Sequence, residues 1–394
     1  MRTTHAATIF FALGLTKVIA RPASGQPSVA TPDIVNINQT MPVVSTQPRK
    51  PDKKALNDFP EDGVNSVKNT NPDPKSQIHP KRSESDAPYS RSEQELRSKI
   101  YFPKTFNESL NKQPVILVPG TAAMAGSTYS TNLAPLLAKS DFADPLWVNI
   151  PDGSLGDAQE NSEYVAYAMN YVQTLTGKKP AVVAWGQGSL NVQWALKYWP
   201  STRDAITDLV AMSPDFHGTT EAFPGCGTIL AVFGCPPSIY QQMRDSEFVR
   251  TLRADGGDSA YVPTTSIFSA TDEIIQPQSG SKASAVLNDE HGVEVSNIEV
   301  QKACPNTPAG GDITHEGMLY NSLAFALLKD ALENEGPGRL ERIDKKVCGD
   351  HAAGQLSTAA IDATGALLDG AAADVRWYYS KVTDEPKIKR YAQR

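Results

Sequence analysis

Ala184-Trp185-Gly186-Gln187-Gly188-Ser189 is the stretch on which the reading of this chain turns. Ala181, Val182 and Val183 precede it as a short, continuously apolar strand. After it, Leu190 to Trp199 carries helical spacing, with Val192, Trp194, Ala195 and Tyr198 available for packing. A strand that breaks at two glycines and restarts at once as a helix serves two chemistries. A dinucleotide-binding turn needs G-x-G-x-x-G, and position 191 is Asn, so that pattern is incomplete. The alternative is a nucleophile elbow, a strained turn that lifts one side chain above the sheet at a helix N-terminus.

Working outward, Pro114-Val-Ile-Leu-Val-Pro119 is another continuous apolar run, ended by Gly120, as a strand buried on both faces requires. Leu146 to Ile150, Ile206 to Met212 and Tyr261 to Ala270 complete the strands that the pattern supports. Helical spacing runs from Asp157 to Thr176 and stops at Gly177, and further helices are expected over 238–254, 315–334 and an alanine-rich 356–375. Strands alternating with helices predict an α/β fold, a mostly parallel central sheet flanked by helices on both faces.

The chain has 394 residues, 40% of them apolar, which is ample for a large core, and a formal charge of −7. An acidic balance without Lys/Arg clusters argues against a nucleic-acid partner. The one apolar run that invites a membrane reading is Ala6 to Leu15, after Arg2 and His5 and before the small residues Ala20 and Ala23. It is too short to span a bilayer and has the build of an export signal over residues 1–20, so secretion and no stable membrane insertion are expected. Residues 21–95 are rich in Pro, Ser, Asn and Lys and poor in periodic apolar residues, and are read as a disordered propeptide or linker with a dibasic cleavage point after Arg82. The folded domain is then 96–394. Asn38 and Asn107 open glycosylation sequons.

An elbow of this kind is followed in chain order by an acid and then a histidine. Asp272, in Ser269-Ala-Thr-Asp-Glu-Ile274, comes just after a strand, and His315, in Asp312-Ile-Thr-His-Glu316, comes just before a helix. Taken with Leu117-Val-Pro-Gly-Thr121, Gln193-Trp194, Pro214-Asp215, Gly218-Thr219, Gln241-Gln242, Val262-Pro-Thr-Thr265 and Ser269 through Gln278, the body resembles the secreted fungal lipases of the Candida antarctica lipase B type, from Pro114 to Ala392. The resemblance implies an α/β-hydrolase fold and activity on carboxylic esters and triacylglycerols. It makes Asp272 and His315 the acid and base, Thr121 and Gln187 the oxyanion hole, and Trp185, Asp215 and Gln242 the lining of the substrate pocket. It also implies that Cys304 pairs with Cys348, while Cys226 and Cys235 have no counterpart in the family pattern and are expected to bridge each other.

One position departs. Gly186 stands where the family has its nucleophilic serine, and glycine has no oxygen with which to attack a carbonyl. Ser189 lies three residues on, about 4.5 Å along the helix axis and away from the tip of the elbow, where it reads as a first-turn residue bonding a free backbone N–H. Three functions are compatible with these residues. The first is a lipase or esterase by descent, acting on or binding acyl esters and lipids without its serine. The second is a non-catalytic protein that binds an apolar ligand. The third is an enzyme repurposed around His315 and the oxyanion hole. A small apolar or acyl-ester ligand is the expected partner of a monomer, and no metal or cofactor is implied, since the cysteines lack C-x₂-C spacing and only His217 lies near them.

Overall fold

The structure, a computed structural model, describes residues 61–107, 111–221, 226, 234–354 and 356–393. The export signal and Asn38 lie outside the described residues. Seven strands form one sheet: β1 (Ile100–Tyr101), β2 (Gln113–Val118), β3 (Ala143–Val148), β4 (Ala181–Trp185), β5 (Leu209–Met212), β6 (Thr264–Phe268) and β7 (Val295–Glu299). Their order is β1-β3-β2-β4-β5-β6-β7, with β1 antiparallel to β3 and every other pairing parallel. The helices in chain order are α1 (Glu93–Ser98), α2 (Ala125–Tyr129), α3 (Leu133–Lys139), α4 (Ala158–Thr176), α5 (Gln187–Tyr198) and α6 (Ser201–Ala205). They continue as α7 (Pro237–Gln241), α8 (Glu247–Arg253), α9 (Val300–Ala303), α10 (Ser322–Glu333), α11 (Thr358–Gly365) and α12 (Ala371–Trp377).

The continuous apolar strands follow from burial on both faces. Ile116, Val118, Val182, Ala184, Leu209 and Ala211 point to the side covered by α4 and α5. Their alternates Val115, Leu117, Val183, Trp185, Val210 and Met212 meet α3 and α10 on the other side. A parallel α/β sheet covered on both faces is what the sequence pattern requires.

Boundaries differ where polar chemistry overrides periodicity. The helix expected over 238–254 is two, because Ser246 caps α8 by accepting the Val249 N–H at 3.0 Å. The one expected over 315–334 begins as a short 3-10 turn, Glu316–Leu319, and restarts at α10, where Asn321 accepts from Leu323 and Ala324. Strand β7 escapes the sequence pattern because, as the edge strand beyond β6, it buries only Ile298.

A larger departure concerns residues 61–95, read from composition as part of a disordered stretch. They are packed on the body: Ile78 is fully buried, and Val67, Ala87 and Tyr89 nearly so. The segment has no core of its own. Its scattered apolar residues enter the body's core, and its amides bond the body's carbonyls, as when Asn71 Nδ2 donates to Arg97 O at 2.9 Å and Ile100 O at 2.8 Å.

Both expected disulfides are present, Cys226–Cys235 with sequence separation 9 and Cys304–Cys348 with separation 44. Of the residues that the first pair encloses, 227–233 lie outside the described residues. Loop-closure entropy grows with loop length, to about 2.7 kcal/mol for the short loop and about 4 kcal/mol for the long one. Replacing Cys304 and Cys348 with Ser should therefore lower the midpoint of thermal unfolding more than replacing Cys226 and Cys235. Scanning calorimetry of the two double variants checks that order.

Candidate active site

The site is assembled at the carboxyl ends of β2, β4, β5 and β6. After β4 the chain turns through Gly186, at φ 51° and ψ −128°, and enters α5 directly. A left-handed φ is one that L side chains adopt only under strain, and nucleophile elbows are built on that strain. Two residues on, Gly188 lies against the end of β2, where a Cβ would come within 2.6 Å of both the Val118 and Pro119 carbonyl oxygens. The close approach places the β2 loop, with Thr121, beside the N-terminus of α5.

Asp272 and His315 meet as a buried pair. His315 Nδ1 lies 2.8 Å from Asp272 Oδ2, with the histidine 4% and the aspartate 1% exposed. The second carboxylate oxygen of Asp272 accepts the N–H groups of Ile274 (2.9 Å) and Ile275 (2.7 Å), which fixes the acid's orientation. His315 is held from three further directions: its N–H donates to Glu273 Oε2 at 3.2 Å, and its carbonyl accepts from Trp185 Nε1 at 3.0 Å and Ser213 Oγ at 3.1 Å. Its Nε2 then faces Gly186, 2.9 Å from the point a Cβ would occupy. Burial pushes the imidazole pKa down, but the charge of Asp272 and its hydrogen bond more than offset that, and the net shift is upward.

Thr121 Oγ lies 2.9 Å from Gln187 Oε1 and 2.8 Å from Gln242 Oε1, so its single proton is shared between two anchored amides. Gln187 donates onward to Ser154 O at 3.2 Å and Gln242 to Ser238 O at 2.9 Å. The backbone N–H groups of Thr121 and Gln187 have no backbone acceptor among the described residues, and that of Gln187 is a first-turn helix donor. Thr121, Gln187 and Gln242 are thus brought together beside Gly186, and Trp185 tilts against the His315 ring at a centroid distance of 4.9 Å.

Ser189 is fully buried, and its hydroxyl has no partner among the described residues. The sequence reading gave that hydroxyl a backbone N–H to bond; it bonds none, and it makes no hydrogen bond to His315. Sequence reasoning also missed Ser213 and Glu273, which orient His315. No motif marks Ser213, whereas Glu273 could have been found as the acidic neighbour of the acid. Among the described residues, no group of three or more His, Cys, Asp or Glu is placed to hold a metal.

Asp215 sits between these groups. Its loop is tied to His315 through Ser213 and to Gln242 through Thr219, whose N–H donates to Gln242 O at 2.8 Å. The carboxyl is fully buried, and neither oxygen has a hydrogen-bond partner among the described residues. Burial pushes its pKa up to about 7, although the positive form of His315 opposes this. An acid with a raised folded pKa takes up protons on folding, so it removes stability as pH rises from about 4 to 7. Asp215→Asn should therefore raise the unfolding midpoint at pH 8 relative to wild type by much more than at pH 4. The difference is at most about 4 kcal/mol at one pH unit per 1.36 kcal/mol, and denaturant titrations at the two pH values measure it.

No protein-family model matches the chain. Lipase B of Pseudozyma antarctica is 32% identical over 283 residues, 71% of this chain and 79% of that protein. The crystal structure of Aspergillus fumigatus lipase B matches with a TM-score of 0.80 and 50% identity, covering 84% of this chain and 79% of that one. With this shared sequence, and with an α/β-hydrolase sheet whose elbow, acid and histidine follow in that order, the chain belongs to the lipase B family.

Proposed function

We propose that the protein binds acyl esters above Gly186 and, having no serine there, turns them over only through water activated by His315. One observation carries the reading: His315 Nε2 is aimed at the elbow, and the residue it meets is a glycine. No acyl-enzyme forms at such a position. A water molecule bound there would give its proton to Nε2 while its oxygen adds to the ester carbonyl. The resulting oxyanion would take the N–H groups of Thr121 and Gln187, and its collapse would expel the alcohol, which recovers the proton from Nε2. Asp272 holds the imidazole for both transfers. Trp185, Asp215 and Gln242 would line the pocket for the acyl group. A site without its nucleophile keeps roughly 10³–10⁴-fold over the uncatalysed reaction in other serine hydrolases, which is the scale expected here.

The same dyad and donors support a second reading, in which His315 removes a carbon-bound proton and the two N–H groups hold an enolate oxygen. Exchange of deuterium from solvent into a recovered acyl ligand would distinguish it from hydrolysis. Export is supported by the N-terminal signal pattern, by two disulfides, and by the exposed position of Asn107, a glycan acceptor. Among the described residues no helix is long and apolar enough to cross a membrane.

Restoring the hydroxyl tests the proposal. Gly186→Ser should raise hydrolysis of short acyl esters at least ~10²-fold, below the full triad loss because His315 must retract to admit a Cβ. The left-handed φ should make the variant less stable by about 1–2 kcal/mol. No gain in a folded variant would contradict an otherwise competent site, and wild-type activity equal to the variant's would place the nucleophile elsewhere. Because a base must be neutral and the His315 pKa is shifted upward, kcat/KM of this variant should fall below a pH higher than the ordinary histidine value of about 6.5. A rate profile from pH 5 to 9 checks it.

A further inference from the structure

We infer that residues 61–82 are a permanent strap of the mature protein, which positions the oxyanion loop, and that any maturation cut lies upstream of Val64 rather than after Arg82. The inference rests on the proposed export of the chain, since dibasic pairs are cut in the secretory pathway.

Three observations carry it. The first is the state of the dibasic pair. An endoprotease needs several residues freed around its target and the basic side chain free to enter its own pocket. Arg82 is engaged instead, its Nη1 donating to Asn170 Oδ1 at 3.1 Å and its Nη2 to Gln173 Oε1 at 2.8 Å, both on α4. Ile78, four residues before, is fully buried. Asp86, four residues after, accepts from Ser83 N (3.0 Å), Ser201 N (2.9 Å) and Ser201 Oγ (2.7 Å). Cutting at this pair therefore requires unfolding the chain on both sides of it.

The second is what the start of the strap touches. Asn65 Nδ2 donates to Ser127 Oγ at 2.7 Å, and Asn65 Oδ1 accepts the Ser127 N–H at 2.8 Å. The Val64 carbonyl accepts from Trp147 Nε1 (2.8 Å) and Asn149 Nδ2 (3.0 Å), while Asn149 Oδ1 accepts from Gly126 N at 3.1 Å. Ser127 and Gly126 belong to α2, which begins four residues after Thr121. The strap thus clamps the helix that anchors one side of the proposed oxyanion hole. Asn65 is a positioning residue in this arrangement and touches no reacting atom.

The third is the solved relative. A match covering 84% of 394 residues is longer than the chain from Ser83 to its end, so it begins upstream of Lys81. The Aspergillus fumigatus lipase B crystal structure therefore holds a counterpart of part of the strap. Upstream of Val64 the nearest basic pair is Lys53-Lys54, whereas Arg49-Lys50 is followed by Pro51, whose ring disfavours cleavage before it.

The test is N-terminal sequencing and intact mass of the protein recovered from culture medium. An N-terminus upstream of Val64, at Ala55 if Lys53-Lys54 is used, supports the inference, and an N-terminus at Ser83 overturns it. A chain retained in the cell with Met1 intact would overturn the export reading alone. The strap is then tested on that purified full chain, where a dibasic endoprotease should leave the Arg82–Ser83 bond whole, and rapid cutting of folded protein there overturns the inference. The positioning role has its own readout. Asn65→Ala should speed amide exchange of Ala125–Tyr129 by ~10-fold or more, while α10 keeps its protection. Unchanged exchange in α2 would show that the strap does not hold the loop.

Discussion

The site depends on how closely the turn after β4 approaches the end of β2. Gly188 permits it, since any side chain there would press into the Val118 and Pro119 carbonyls at 2.6 Å. That contact brings the N-terminus of α5, with a Gln187 N–H that has no backbone acceptor among the described residues, against the loop that carries Thr121. Once these two loops are joined, the remaining parts arrive from neighbouring strands of the same parallel sheet: Ser213 and Asp215 after β5, and Asp272 after β6. His315 comes in from outside the sheet and is fixed by four separate hydrogen-bonding groups. The constellation is therefore a property of the backbone, and it stands with a glycine at position 186.

A glycine at that position sets the charge balance around His315. One imidazole faces Asp272, has Glu273 on its backbone and feels the charge of Asp215, while its Nε2 faces Gly186. In a serine enzyme such a histidine would hand its proton between the nucleophile and the leaving group. On the proposed reading its proton partner is water or the ligand. Asp215 adds a buried carboxyl with no protein partner among the described residues, a costly arrangement in a core and one that is found where a ligand or solvent completes the bonding.

The sheet and the acid–base pair were legible in the sequence because their signals are local. Continuous apolar runs mark β2 and β4, Gly177 marks the end of α4, and the glycines around position 186 mark the turn. Asp272 and His315 could be named because their order along the chain and the residues beside them are distinctive. What was not legible depends on contacts between distant residues. The strap looks disordered because Val67 and Ile78 have no periodicity, yet each is buried in the body. The isolation of Asp215 and the orienting bond of Ser213 exist only in three dimensions. The edge strand β7 is too polar to read as a strand, because Ile298 is the one residue it buries fully.

The central claim is that ester turnover at this site involves no covalent intermediate. It is tested most directly by mixing the wild-type protein with a chromogenic acyl ester, quenching with acid during turnover, and measuring intact mass and peptide masses. The account predicts that only the unmodified mass is found at every time point. A transient acyl adduct on the peptide that contains Ser189 would contradict it.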